Sequence, residues 1–213
     1  MQTYSNSRNV YVIDTETTGL NGTVAGDRIV EVGIARVDIV GCKVFPEYSR
    51  IIDIPHVMDY SDAWVFRNTT LDVEDCLNSP YSVYDVRNDL RQYVDCCVTA
   101  YNRAFDIDKF LNAWPYHFNP PNFPCIMEMA SRVVPAKDHA GGSRWPSAQA
   151  SYDFLCPGNP ARVPNGKEEH RALSDAVLEG YILLALMDKD ESIKDEVLSA
   201  MESVSALRDH MLY

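Results

Sequence analysis

The sequence Val10-Tyr-Val-Ile-Asp-Thr-Glu-Thr-Thr-Gly19 begins with apolar β-branched and aromatic residues and ends with polar ones. Short apolar runs of this composition favour a buried β-strand. We predict a strand over Val10–Asp14 that presents polar side chains at its C-terminal end. Because side chains two residues apart point to the same face of a strand, the carboxylates of Asp14 and Glu16 are expected to point into one site.

The segments that follow predict a sheet around this strand. Arg28–Asp38 alternates between apolar and polar residues, and Lys43–Ile54 continues after a turn at Gly41. Three strands in series that are joined by short turns form an antiparallel meander. The apolar run Cys96–Tyr101 predicts a fourth strand.

Helical patterns occupy most of the remaining chain. The predicted helices cover residues 59–93, with Ser82 as an N-cap, and then 106–113, 127–134, 147–155, 172–187 and 191–213. The last helix is amphipathic, and its apolar stripe predicts either packing on its own domain or docking of a partner. We therefore predict an α/β fold, a mixed β-sheet flanked by α-helices. A chain of 213 residues corresponds to a single domain over 1–213, with its core over about residues 9–187.

The composition is that of a folded chain, with 46% hydrophobic and 23% charged residues. The formal net charge of −12 excludes the broadly basic surface with which many proteins coat long nucleic acids. It does not exclude a nucleic acid that meets the protein through bound metal ions. Residues 132–171 are locally basic, with six basic and four acidic residues, and Trp145 and Tyr152 in this segment are candidates for stacking on bases.

Three features predict a cytoplasmic protein that does not enter a membrane. Residues 1–10 contain no apolar signal-peptide region, and the longest apolar run, Ile182–Met187, is too short to span a bilayer. The six cysteines show no CxxC pair, which disfavours a disulfide framework or a zinc site. Reduced, buried thiols in the cytoplasm are the expectation.

Acidic and histidine side chains recur where predicted elements begin or end. Asp106 opens the helix after the fourth strand, His170 ends a loop, and Asp175 lies on the next helix. Closely placed carboxylates repel one another unless a cation lies between them, and hard oxygen ligands suit Mg²⁺ or Mn²⁺. Each segment alone also fits a plainer interpretation: a solvated strand end for Asp14 and Glu16, a helix N-terminal residue for Asp106 and a capping residue for His170.

Taken together, the order DxE, NxxFD and HxxxxD resembles the DEDD superfamily of 3′-to-5′ exonucleases, in the DEDDh branch that carries a histidine. The residues that carry the likeness are Val12–Gly19, Arg28–Gly33, Asn102–Leu111 and His170–Ala176. That branch includes ribonuclease T, oligoribonuclease and the proofreading subunit of bacterial DNA polymerase III. Two shorter segments are similar to exonuclease-like proteins of bacteria and phages, namely 127–130 and 144–146.

The resemblance implies a ribonuclease H-like fold and a two-metal phosphodiesterase. It implies that Asp14, Glu16, Asp106 and Asp175 ligate two Mg²⁺ or Mn²⁺ ions, and that His170 is the general base for the attacking water. Two such ions stabilise the entering and leaving oxygens of an in-line displacement. An imidazole with an ordinary pKa of about 6.5 is largely neutral at pH 7 and can accept a proton.

The resemblance also implies a pocket for the 3′-terminal nucleotide. It implies that Thr17, Leu20, Asn102 and Phe105 line this pocket, with Leu20 wedged against the base. Leu20 and Phe105 also fit a hydrophobic core equally well. Tyr101 stands where the family often has histidine, so contacts at this point of the pocket are open.

The loop Cys156–Glu169 contains three prolines and two glycines, a composition that excludes a long helix or strand. We expect it to let His170 swing into the site when substrate binds.

The expected function is that of a metal-dependent 3′-to-5′ exonuclease that releases nucleoside 5′-monophosphates from the 3′ ends of single-stranded DNA. The alternatives are an RNA-trimming or oligoribonucleotide-degrading enzyme, a polymerase-bound proofreading subunit, and a non-catalytic nucleic-acid-binding protein. The C-terminal amphipathic helix is the candidate surface for a polymerase partner or a homodimer.

Overall fold

A four-stranded mixed sheet forms the centre of the protein. The computed structural model describes residues 8–135, 145–157 and 168–211. The strands are β1 (Asn9–Thr17), β2 (Ile29–Asp38), β3 (Lys43–Ile51) and β4 (Val98–Thr99), in the order β3-β2-β1-β4. The pairs β1/β2 and β2/β3 are antiparallel, and β4 is parallel to β1. The predicted meander and the predicted mixed sheet are confirmed.

The strand ends differ from those predicted. β1 continues to Thr17 because its backbone pairs with β2 along its whole length, and this pairing overrides the polar sequence. β3 ends at Ile51 rather than at residue 54. β4 has only two residues because the carbonyls of Ala100 and Tyr101 accept hydrogen bonds from the backbone N–H groups of residues 126 and 127.

Both faces of the sheet are buried, each against its own hydrophobic core. Tyr11 and Ile13 of β1 belong to one core, and Val10 and Val12 belong to the other, as the alternation of side chains along a strand requires. The neighbouring residues Cys96 and Cys97 are divided between the two cores in the same way. All six cysteines are free thiols and five of them are buried, as expected from their spacing.

Short helices cover the first face. The region predicted as helical over residues 59–93 contains α1 (Trp64–Asn68), α2 (Val73–Leu77) and α3 (Val83–Leu90). The predicted N-cap of α3 is confirmed, because the Ser82 hydroxyl accepts from the backbone of Asp85 in a capping box. The helix predicted over 106–113 is a π-helix, Ala104–Leu111, in which the Asn112 N–H donates to the Ile107 carbonyl.

Four helices, two of them long, cover the second face, close to the bounds that the sequence predicts. They are α4 (Ile126–Val133), α5 (Ala148–Leu155), α6 (Ala172–Lys189) and α7 (Glu191–Met211). The first turn of α6 lies directly on β2 at Gly33, where an added Cβ would stand 2.2 Å from the Ala172 carbonyl carbon. Glycine at this position therefore fixes how closely the helix approaches the sheet.

The apolar stripe of α7 packs on the second core. Ile193, Val197, Met201 and Val204 are all buried there, so packing on its own chain accounts for this stripe. Tyr152 of α5 is also buried in this core, which makes its predicted stacking on bases wrong. No helix in the described part of the chain is long and apolar enough to cross a membrane. Most of the loop Cys156–Glu169 and residues 136–144 lie outside the described residues.

Candidate active site

Two carboxylates of the site come from β1. Asp14 and Glu16 lie on the face of this strand that α6 covers, and Glu16 is only 9% exposed. The register pairs Asp14 with Gly33 and Glu16 with Glu31 of β2. The expected shared direction of the two carboxylates follows from this strand geometry.

The third carboxylate comes from the π-helix. Asp106 is buried, and its Oδ1 accepts hydrogen bonds from the backbone N–H of Thr15 (3.2 Å) and from the Thr15 hydroxyl (2.6 Å). Thr15 stands between Asp14 and Glu16, so these bonds hold the π-helix against the strand that carries both. Asp108, by contrast, is exposed and pairs with Arg103, with Nη1 and Oδ1 2.9 Å apart.

The fourth carboxylate and the histidine come from the start of α6. Asp175 is buried in the first turn, where its Oδ1 accepts from the backbone N–H of Glu169 (2.9 Å). His170 precedes the helix with a φ of 53°, a left-handed conformation that non-glycine residues seldom adopt. Ligand atoms of Glu16, His170 and Asp175 all lie within 4.8 Å of one another. The structure therefore brings these predicted residues together.

A partly buried ion pair anchors the segment next to His170. Nε and Nη2 of Arg171 donate to the two carboxylate oxygens of Glu31 at 3.0 and 2.8 Å. The backbone N–H of Ala172 donates to the same carboxylate at 3.1 Å. Glu31 is 2% exposed and is the cross-strand partner of Glu16. The forked geometry fixes the direction of the chain where it enters the site.

An indole ring borders the histidine on its other side. The ring of Trp64 on α1 stands perpendicular to the His170 ring, with the ring centres 5.2 Å apart. Trp64 remains 57% exposed, so it forms an outer wall beside the imidazole.

The carboxyl groups of the site have raised pKa values in the absence of a cation. Burial, and then the charge of Asp175, raises the pKa of Glu16 to about 8. Burial raises the pKa of Asp175 to about 7, and that of Asp106 to about 7 despite the hydrogen bonds from Thr15. The pKa of Asp14 is raised by burial and by neighbouring carboxylates. Such mutual repulsion indicates a place where positive charge is favoured.

The donor set fits a hard divalent cation. Carboxylate oxygens from Glu16 and Asp175 and an imidazole nitrogen from His170 converge within a distance that one ion can bridge. Asp14 is on the same strand as Glu16, and Asp106 is held against that strand by its hydrogen bonds with Thr15. The residues present are therefore able to hold the kind of ion that the sequence predicts.

The four residues predicted to line a nucleotide pocket lie in the segments of the chain that carry Glu16 and Asp106. Thr17 ends β1, and its hydroxyl donates to the Gly19 carbonyl (2.7 Å). Leu20 is 72% exposed, so its alternative placement in the core is wrong. The Asn102 carbonyl accepts from the backbone N–H of Phe105 (2.8 Å), and Phe105 packs partly against the first core.

Lys109 connects the loop that carries Leu20 with the π-helix that carries Phe105. Its Nζ donates to the Leu20 carbonyl at 3.0 Å and lies 5.4 Å above the centre of the Phe105 ring. Gly22, at a φ of +93°, lies so close that an added Cβ would be 2.8 Å from Lys109 Cγ. Tyr101 turns away, because its hydroxyl bonds with the Pro146 carbonyl and the Ser151 hydroxyl.

The sequence patterns did not predict several residues that the structure places at the site. Glu31 was detectable as a charged residue inside an apolar strand, and Glu179 as a charge one helical turn after Asp175. Trp64 and Lys109 carry no local signal, because only the packing of distant elements brings them to the site.

The sequence of this chain matches the model of a known protein family. The family model described as Exonuclease, of the RNase T type, matches residues 11–183, which is most of the chain. The chain belongs to this exonuclease family. The match spans all five residues of the predicted DEDDh set, from Asp14 to Asp175. A comparison with curated protein sequences gave no match.

Solved structures share the fold of this exonuclease family member. The nuclease domain of 3′hExo, a DEDDh family member bound to rAMP, superposes with a TM-score of 0.63 at 13% identity, covering 85% of this chain and 92% of that one. Cell-death related nuclease 4 superposes with a TM-score of 0.59 at 10% identity, covering 85% and 64%. A full-length 3′-exonuclease gives 0.59 at 12% identity, covering 85% and 61%.

The exonuclease chain thus spans less than two thirds of the length of the last two proteins. The likeness confirms the predicted ribonuclease H-like α/β fold, and the family match confirms that the chain is a member of the exonuclease family.

Proposed function

We propose that the protein is a metal-dependent 3′-to-5′ exonuclease that releases nucleoside 5′-monophosphates from the 3′ ends of single-stranded DNA. The observation that carries the proposal is the convergence of Glu16, His170 and Asp175 within 4.8 Å in a chain of an exonuclease family. Similarity to solved 3′-exonucleases supports the direction of digestion.

Each residue of the site has a proposed role. Asp14, Glu16, Asp106 and Asp175 would hold two Mg²⁺ or Mn²⁺ ions. When bound, such ions stabilise negative charge on the entering and leaving oxygens of an in-line displacement. His170 accepts the proton of the attacking water, and the contacts of Arg171 with Glu31 keep the imidazole close to the carboxylates.

The pocket supports an unpaired terminal nucleotide as the substrate. Leu20 is exposed to solvent, Phe105 is partly buried against the first core, and Thr17 and Asn102 are polar residues near Glu16 and Asp106 in the chain. A pocket that holds one terminal nucleotide requires that nucleotide to be unpaired. RNA is the alternative substrate, and an enzyme that trims RNA or degrades oligoribonucleotides would use the same residues.

We also propose that residues 1–213 form one exonuclease domain in the cytoplasm. Five buried free thiols suit a reducing compartment. The apolar stripe of α7 packs on the second core, so it is not available to a polymerase partner or to a second copy of the chain. We therefore assign the C-terminal helix to the stability of the domain.

The test is digestion of matched DNA and RNA oligonucleotides labelled at the 5′ end, with Mg²⁺ or Mn²⁺. We expect a ladder that shortens from the 3′ end with the wild type, and no ladder with Asp14→Ala or His170→Ala. Full activity of Asp14→Ala would overturn the metal site. A wild type that binds the oligonucleotide without cutting it would indicate a non-catalytic binding protein instead.

A further inference from the structure

A fifth acidic side chain lies within the carboxylate cluster. Glu179 is on α6, one helical turn after Asp175, and is only 3% exposed. Residues four apart on a helix project on the same side. Glu179 therefore lies one turn after Asp175 on the face of α6 that packs against the sheet. It does not belong to the DEDDh set described above.

The backbone fixes where the Glu179 carboxylate lies. Its Oε2 accepts a hydrogen bond from the backbone N–H of Tyr101 at 3.2 Å. Tyr101 follows directly on β4, whose Thr99 pairs with Val12 of β1, two residues before Asp14. The Glu179 carboxylate is therefore held where β4 ends, on the side of β1 away from β2.

The electrostatic surroundings agree with this placement. After burial, the charge of Glu179 is the largest of the contributions that raise the pKa of Asp14. Burial, and then the charges of Asp106 and Asp175, raise the pKa of Glu179 itself. Within the described residues, no basic side chain forms an ion pair or a hydrogen bond with Glu179. A carboxylate in such a place destabilises the cluster unless cations are bound.

We propose that Glu179 is a positioning residue of the metal centre, whose negative charge behind Asp14 raises the affinity of the site for divalent cations. This inference rests on the proposed function, because it concerns the same ions. The charge acts at short range in a buried site, where electrostatic interactions are much stronger than in water. Glu179 contacts neither substrate nor the attacking water, so it acts through Asp14.

The substitution Glu179→Gln separates charge from structure. The amide oxygen of glutamine can still accept the Tyr101 N–H, while the negative charge is lost. We expect Mn²⁺ affinity, measured by calorimetric titration without nucleic acid, to fall roughly tenfold or more. In EDTA at pH 8 the same substitution should raise the Tm by about 2–4 °C, because a repelling charge is gone.

The matched control is Glu128→Gln, which removes the same charge from an exposed position on α4. It should change neither the Mn²⁺ affinity nor the Tm. The inference is overturned if Glu179→Gln binds Mn²⁺ like the wild type, or if its Tm in EDTA falls, since a purely structural role predicts both. If the wild type itself binds no Mn²⁺, the proposed metal site fails as well, so the two failures are distinguishable.

Discussion

The segment that carries His170 and the loop that carries Leu20 border the same site but are held by different kinds of contact. Glu31, 2% exposed, accepts three hydrogen bonds from Arg171 and Ala172 next to the histidine. The Leu20 loop, residues 18–28, is held to the π-helix by one exposed lysine, Lys109. The groups proposed for chemistry are therefore fixed by buried charges, whereas the groups proposed to meet the nucleotide are held at the surface.

This difference predicts how substitutions divide between catalysis and binding. Substitutions near the buried contacts should lower kcat and stability, because they leave buried polar groups without hydrogen bonds that water could replace. Changes at the surface loop should alter KM more than kcat, because water replaces the lost contacts there. The following predictions test this division.

The largest effect is expected for Asp106→Asn, which removes the charge of a buried carboxylate that we propose as a metal ligand. We expect the rate of oligonucleotide digestion to fall about a thousandfold, which is several kcal/mol of lost stabilisation of the transition state. Steady-state digestion of a labelled oligonucleotide measures it. The control Asp108→Asn removes an exposed carboxylate two residues away and should keep most of the activity. Equal losses in both variants would contradict the assignment.

The next effect is expected for Arg171→Ala, which leaves the buried Glu31 carboxylate without its fork. Unfolding in urea should show a loss of about 2 kcal/mol, and kcat should fall about a hundredfold as His170 loses its fixed position. Arg132→Ala breaks an exposed pair with Glu196 and should cost less than about 1 kcal/mol. A stability loss no greater than that of Arg132→Ala would show that the hydrogen bonds from Arg171 to Glu31 do not stabilise this segment.

A smaller effect concerns the dependence of stability on pH without metal. Glu16, with a pKa of about 8, and Asp106 and Asp175, each with a pKa of about 7, lie above their ordinary values of 4.5 and 3.8. The folded chain therefore binds more protons than the unfolded chain, so the free energy of unfolding falls as pH rises from about 4 to 8. Thermal melts in EDTA should give a lower Tm at pH 8 than at pH 5.5.

Mn²⁺ should remove most of this decline, because the cation replaces the bound protons. The variant Glu16→Gln should show a shallower decline in EDTA than the wild type. A Tm in EDTA that rises over this pH range would contradict the raised pKa values.

The smallest effect is expected for Lys109→Met, which keeps the aliphatic stem but removes the hydrogen bond to the Leu20 carbonyl. We expect KM for a short oligonucleotide to rise about threefold with little change in kcat, since an exposed hydrogen bond contributes about 0.5–1 kcal/mol. Lys194→Met on α7 changes charge equally and serves as the control. A fall in kcat with an unchanged KM would place Lys109 with the catalytic groups instead.

The sheet and the proximity of Glu16, His170 and Asp175 could be predicted from the sequence because both depend on local patterns. Alternation along residues 28–38 and the order of Asp14, Glu16, Asp106, His170 and Asp175 needed no tertiary information. The predicted length of β4 was wrong because Ala100 and Tyr101 bond with the start of α4, a contact between distant segments. The roles of Glu31 and Lys109 were missed for the same reason.

Leu20 and Tyr152 show how hydrophobicity alone misleads. Both side chains are large and hydrophobic, yet Leu20 is 72% exposed near the site and Tyr152 is only 3% exposed in the second core. Which of two such residues faces solvent depends on the helix or loop that carries it and on what packs against it. Composition around each residue does not contain that information.

We propose that this site hydrolyses the 3′-terminal phosphodiester bond. Digestion of single-stranded DNA in ¹⁸O-labelled water with Mn²⁺, followed by mass spectrometry of the mononucleotides, tests this reaction most directly. We expect nucleoside 5′-monophosphates that carry one ¹⁸O in the phosphate, and none of this product from His170→Ala. Release of 3′-monophosphates, or of oligonucleotides from internal cuts, would contradict it.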